Sequence, residues 1–217
     1  MAVYPPIDRK YFYDSVRKSL FHGKLDSDQV ASIDNILDIF EMKYPELGLN
    51  ALAYCLGTVY HECSYKKDDV FYRSMQPVEE IGKGRRHDYG KKLKYGNGTR
   101  KRIAYAFPDK FYYGRGYVQL TWFELYDKLG KILKVDLLNN PEMALGKELA
   151  AEIMFTGMKD GLFTGKRLSF FFTEKRSDWV KARSIINGND KAEEIAEYAK
   201  LFHKALLKPS KVKNDEV

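Results

Sequence analysis

The chain has little cysteine, no long apolar run and no leader-like start, and each lack excludes something. Cys55 and Cys63 are the only cysteines. On one helix they would stand about 12 Å apart, too far for a disulfide. Two free thiols fit a reducing compartment, and two cysteines do not by themselves complete a structural zinc site. No apolar stretch reaches the roughly 18 residues of a membrane span. The opening Met1-Ala-Val-Tyr-Pro-Pro-Ile-Asp-Arg-Lys10 lacks the apolar core and cleavage site of a signal peptide. These absences predict a protein kept in a cytoplasm until something else exports it.

Several chemical signatures are also missing. His61-Glu62 does not extend to a zinc-protease motif, because Tyr65 stands where the second histidine is needed. His22, His87 and His203 have no ligand spacing to His61, so no metal is assigned. Gly82-Lys-Gly84 and Gly114-Arg-Gly116 lack the spacing of phosphate-binding loops. A Gly-x-Ser-x-Gly elbow is absent. No cofactor is expected. There is no internal repeat and no Pro/Ser-rich linker.

What is present reads as helix. Hydrophobic residues make up 44% of the 217 residues and charged ones 31%, enough for one substantial core or two small ones. Asp8 or Asp14 opens a first helix running through Val16 and Leu20 to Gly23. Asp26-Ser-Asp28 caps a second, with Val30, Ile33, Ile36, Leu37 and Phe40 on one face and Pro45 and Gly48 as stops. Ala51–Glu62 is small, apolar and nearly uncharged, a helix buried on most sides despite Gly57. Further helices are expected over 123–133, from Pro141 (capped by Asn140) to about 157, over 178–186 and over 191–207. The glycine-rich stretch 66–110 has no sustained period and leaves room for a small β-hairpin, with Asn97-Gly98 as a turn. The economical reading is one mostly α-helical domain over 1–207, with N-terminal helices in 8–50, the remainder in 51–207, and a polar tail at 208–217.

Charge is concentrated. The net charge is +7, yet Lys83 to Arg102 alone holds nine Lys or Arg against Asp88. Such a patch attracts a polyanion. It reads as a solvated loop, a nucleic-acid contact or a contact with an anionic cell-wall or outer-membrane surface.

Two acids sit in unlike settings. Glu62 ends the apolar helix, where desolvation and the negative end of the helix dipole both favour a protonated carboxyl. Glu80 lies in the turn-rich Gln76-Pro-Val-Glu-Glu-Ile-Gly-Lys-Gly84, followed at once by cations that favour the ionised form. One neutral and one charged acid are what glycoside hydrolysis uses. Aromatic faces for sugar rings, with Arg, Gln, Thr and Asn for hydroxyls, occur in the segment 111–122.

In order along the chain, His61-Glu62, Glu80, Tyr112-Tyr-Gly-Arg-Gly-Tyr-Val-Gln-Leu-Thr-Trp122 and Ile185-Ile-Asn-Gly188 resemble family 19 glycoside hydrolases, chitinases of lysozyme-like fold and related bacteriophage endolysins. Tyr11-Phe-Tyr-Asp-Ser-Val-Arg17 and Met75-Gln-Pro-Val-Glu-Glu-Ile-Gly-Lys-Gly84 resemble the phage and prophage branch. The likeness spans about residues 8–207. It implies Glu62 as general acid and Glu80 as general base, with Glu79 as fallback. Thr121 would position the water. His61, Tyr113, Arg115, Gln119, Trp122 and Asn187 would line or shape the sugar cleft. It implies a monomeric peptidoglycan hydrolase without cofactor, held in a host bacterial cytoplasm and released to the wall with a holin-like partner. Lys83–Arg102 would meet the anionic envelope, and no nucleic-acid partner is assigned. A chitinase, or a non-catalytic wall-binding module, is the alternative. The family pattern has an asparagine where Leu125 stands and a final-helix arginine where Glu194 falls.

Overall fold

A computed structural model describes residues 5–67, 69–84, 89, 92–94, 100–102 and 112–208. Among these are six α-helices and four two-stranded antiparallel pairs. Helix α1 (Arg9–Ser19) starts at Asp8, whose side chain accepts from the Tyr11 N–H. Helix α2 (Ser27–Lys43) carries a capping box, Asp26 and Gln29 each holding the other's backbone. A 3-10 turn, Pro45–Leu47, then leads directly into α3 (Gly48–Glu62). Gly48 therefore does more than stop α2. Its φ of 79° makes the bend that redirects the chain into the next helix.

Residues 51–60 of α3 are all buried. Gly57 is the point of closest approach to α6 (Ala192–Leu206): a Cβ there would lie 2.8 Å from the Ala199 backbone nitrogen. The glycine that weakens α3 as an isolated helix is thus what lets two backbones touch. Around this pair, Phe12, Ile36, Phe40, Phe155 and Phe202 fill the larger apolar cluster with α1, α2 and α5 (Lys147–Asp160). A second cluster joins Tyr89, Tyr112, Leu120, Tyr126 and Ile153, built largely by α4 (Phe123–Leu133) and the chain before it.

Two expected helices are shortened. Pro141–Leu145 is a 3-10 turn, and extended Gly146 separates it from α5. A backbone that must leave the helical basin at 146 cannot continue the ladder begun at Pro141. The segment expected as a helix over 178–186 is likewise a 3-10 turn, Lys181–Ile185.

The hairpin expectation is met more than once. Strands β1 (Ser64–Lys67) and β2 (Val70–Arg73) pair directly after α3. Strand β3 (Val78–Glu79) pairs with β6 (Arg115–Gly116) across the intervening β4 (Lys92–Lys94) and β5 (Arg100–Arg102), which pair with each other. Asn97-Gly98 lies outside the described residues. So do 85–88, 90–91 and 95–99, which form much of the basic stretch. Strands β7 (Phe172–Thr173) and β8 (Arg176–Ser177) complete the set.

Both cysteines are buried and unpaired. The Cys55 thiol faces Met158 and the Cys63 thiol faces the Tyr117 carbonyl, each at 3.7 Å. Burial pushes both thiols well above their usual pKa. No described helix is long and apolar enough to cross a membrane.

Candidate active site

The last turn of α3 delivers His61 and Glu62. Glu62 is not stranded among apolar groups as its sequence setting implies. Arg183 Nη1 donates to its Oε1 at 2.6 Å, and a fifth of the Glu62 side chain remains exposed. Arg183 itself is 3% exposed and is fixed from the other side, its Nε donating to the Asp190 carbonyl at 3.0 Å. The 3-10 turn Lys181–Ile185 therefore supplies the guanidinium that pairs with Glu62. On α6 stands Glu194, which faces His61: His61 Nδ1 and Glu194 Oε1 are 3.8 Å apart. Burial pushes the imidazole below its usual pKa, with Glu62 and Glu194 opposing.

The second acid belongs to the β3–β6 ribbon. Glu80 N–H donates to the Gly114 carbonyl at 2.7 Å, and Gly114 N–H returns a bond to Glu80 Oε2 at 3.1 Å. The Tyr89 hydroxyl is also hydrogen-bonded to Glu80; burial, together with this acceptor, pushes Tyr89 up to about 12. Lys83, the first of the downstream cations, turns to Glu79 at 3.1 Å rather than to Glu80. Glu79 is fully engaged, accepting from the Tyr113 hydroxyl at 2.9 Å with Arg115 Nε at 4.0 Å. Burial acts to raise the Glu79 carboxyl, but Tyr113, Lys83 and Arg115 together hold it below the usual range.

Other residues singled out by sequence lie on the ribbon, at the start of α4 and after the Lys181–Ile185 turn. Arg115 is 5% exposed; its guanidinium lies 3.6 Å from the Tyr113 ring centroid and donates to the Tyr126 hydroxyl at 3.0 Å. It braces the ribbon from inside. Gln119 has φ 51°, and its Nε2 donates to the Val78 carbonyl at 3.2 Å, so it clasps β3 rather than presenting a free amide. Its side chain fits only because position 114 is glycine: a Cβ there would lie 2.4 Å from Gln119 Oε1. Trp122 opens α4 at φ 76° and meets the Tyr89 ring edge-on, centroids 4.7 Å apart. Thr121 is half-buried beside it, and Asn187 is exposed, its Oδ1 accepting from Gly188 N–H.

The two halves adjoin. Ser74 N–H donates to the Cys63 carbonyl at 3.0 Å, closing the β1–β2 hairpin, and the Cys63 thiol touches the Tyr117 carbonyl of the ribbon's turn. Arg183 is the partner of Glu62 that the sequence did not single out. Its one sequence-level signal was position, four residues before Asn187 in the Ile185-Ile-Asn-Gly188 motif. Among the described residues no three His, Cys, Asp or Glu converge as metal ligands.

Comparison with known proteins places this architecture. The chain aligns with chitinase C from Streptomyces griseus HUT6037 at a TM-score of 0.58 and 17% identity, covering 92% of this chain and 76% of that one. A mutant of chitinase C aligns at 0.51, with 17% identity and 92% of each chain covered. The fold is thus the mostly helical, chitinase C-like fold with small two-stranded hairpins. Sequence likeness is confined to a short stretch. Over 36 residues the chain is 53% identical both to an inactive chitinase-like protein 1 of Hevea brasiliensis and to endochitinase 1 of Theobroma cacao. That stretch is 17% of this chain and only 12% and 11% of those relatives. No family model matches the chain.

Proposed function

We propose that the protein is an inverting glycoside hydrolase that cuts β-1,4 bonds between the amino sugars of peptidoglycan. The observation that carries this reading is a carboxyl fixed by a buried guanidinium at the end of α3, adjoining a ribbon that holds a second carboxyl by neutral donors. Glu62 donates a proton to the leaving oxygen. Arg183 occupies Oε1, which leaves Oε2 to carry that proton. Glu80 takes a proton from a water that attacks the anomeric carbon from the opposite face, and Thr121 holds the water. Inversion requires the carboxyl groups about 6.5–9.5 Å apart with substrate bound. Engagement of both Glu79 oxygens by Tyr113 and Lys83 supports Glu80 as the base.

The phage endolysin likeness of the 11–17 and 75–84 segments favours peptidoglycan and a monomer released from a host cytoplasm with a holin-like partner. The cationic Lys83–Arg102 stretch would draw such an enzyme to an anionic envelope, and lysis should then weaken as salt rises. A chitinase is the second reading, favoured by the names of the structural and sequence relatives. The test is mass spectrometry of fragments released from purified peptidoglycan and from colloidal chitin by the native chain and by Glu62→Gln. Release from peptidoglycan by the native chain alone supports the proposal, and the reducing-end sugar identifies the bond. Release from chitin alone favours the second reading. Equal release by both forms would remove Glu62 as the acid.

A further inference from the structure

Near the end of α3 lies a groove of about 1360 Å³ whose lining includes neither Glu62 nor Glu80. It is framed by the α1–α2 loop, β2, the end of α3 and α6, and its chemistry differs from the site above. Arg17, Lys24 and Arg73 line it together with the rings of Tyr60, Phe71 and Tyr198. Its one acid, Asp26, is already engaged: one oxygen accepts from the Gln29 N–H and the other from the Tyr72 hydroxyl. The groove lining is therefore cationic and aromatic, with Arg17 shared with Asp14 at 3.4 Å just outside it.

Arg73 is its centre. The guanidinium lies 4.9, 5.4 and 5.2 Å from the ring centroids of Tyr60, Phe71 and Tyr198, which hold it as a preset fork. It donates to the Tyr198 hydroxyl at 3.0 Å and to the Tyr60 carbonyl at 3.5 Å, and Glu194 stands 3.8 Å away. A guanidinium has five donors in a geometry that matches a carboxylate. Phe71 is 60% exposed, so the ring that meets Arg73 also offers apolar surface to solvent. Such a site suits a ligand carrying carboxylates and small apolar groups together.

We propose that this groove binds the carboxylate-bearing peptide stem of a peptidoglycan strand whose glycan lies at Glu62. The inference rests on the peptidoglycan reading and deepens it. Glu194 Oε1 stands 3.8 Å from Arg73 in the groove and 3.8 Å from His61, the neighbour of the acid. Tyr60 lines the groove and Glu62 follows two residues later on α3, so groove and acid are neighbours on one helix end. A chitin chain bears no anionic substituent and has no use for such a groove. Stem recognition would therefore be the element that separates the two polymers.

The test uses the full chain carrying Glu62→Gln and a soluble L-alanyl-γ-D-glutamyl-diaminopimelate tripeptide, with binding read by calorimetry. Arg73→Gln should weaken binding by about tenfold, the worth of a charge-assisted bond. Phe71→Ala alters an exposed ring and leaves the packing intact; it should weaken binding by about threefold. With Glu62 restored, Phe71→Ala should lower turnover of intact peptidoglycan and spare glycan strands stripped of their stems. No tripeptide binding, or binding indifferent to both substitutions, overturns the groove while leaving hydrolysis by Glu62 untouched. A single-stranded oligonucleotide that occupies the groove while the tripeptide does not would assign it to nucleic acid and equally overturn the proposal. Tripeptide binding lost in Arg73→Gln, in a chain that hydrolyses nothing, upholds the groove and removes the hydrolase.

Discussion

The half of the molecule around Glu62 and the half around Glu80 are built differently. Glu62 is held by a part-buried ion pair between residues 121 apart in the chain, at the end of a helix locked against α6. Glu80 is held within one ribbon, by a backbone N–H from 34 residues away and a tyrosine hydroxyl. The first half relies on charge in a low-dielectric setting, where each partner depends on the other. The second relies on neutral donors that remain satisfied, or find water, when the carboxyl changes. On the proposed mechanism, activity and stability should therefore be coupled at Glu62 and separable at Glu80.

The largest expected effect tests that contrast. Glu62→Gln and Glu80→Gln should each lower turnover by about 10²–10⁴-fold, but only the first should lower the melting temperature appreciably. Equal losses of stability in the two variants would erase the distinction. Next comes Arg183→Met. Breaking a fully buried pair costs about 3–5 kcal/mol, and Glu62 keeps some exposure, so about 2–3 kcal/mol is expected by urea denaturation. Turnover should fall with it, less than in Glu62→Gln.

Gly57→Ala strains the same half without touching charge. Its Cβ meets backbone rather than a pliable side chain, and overpacking of that kind costs about 1–3 kcal/mol. A melting temperature equal to the native one would mean α3 and α6 can slide apart at no cost. The smallest effect concerns pH. Burial holds His61 below its usual pKa in the folded chain, so the folded state favours the neutral ring. That stability is complete above the ordinary histidine value of about 6.5 and is lost as pH falls through the lower folded value. Plotting melting temperature against pH should show a decline below about 6.5 that His61→Gln makes shallower.

The contrast also explains what the sequence could disclose. The ribbon around Glu80 was legible as structure because its parts are nearly contiguous: Tyr112 to Trp122 carries the glycines, aromatics and Gln119 that make one turn. Gln119 and Arg115, expected at sugar subsites or shaping the cleft, also make contacts that hold the ribbon, which the sequence did not disclose. The helices were legible wherever a cap and a period agreed, as at Asp26 with Ile33, Ile36 and Phe40. They failed where a single extended residue, Gly146, ended a promising run, since periodicity does not register one dihedral. Arg183 was illegible for a different reason. A buried cation announces itself only when its partner is known, and that partner lies on another element.

The sealed thiols have a consequence for where this chain can work. Cys55 is enclosed against Met158 and Cys63 against the Tyr117 carbonyl, both with raised pKa, so neither offers a ready thiolate to an oxidant. The folded chain should pass from reducing to oxidising surroundings without acquiring a bridge, a mixed disulfide or a sulfenic acid. A thiol reagent added to the native protein should find nothing to modify until the fold is opened.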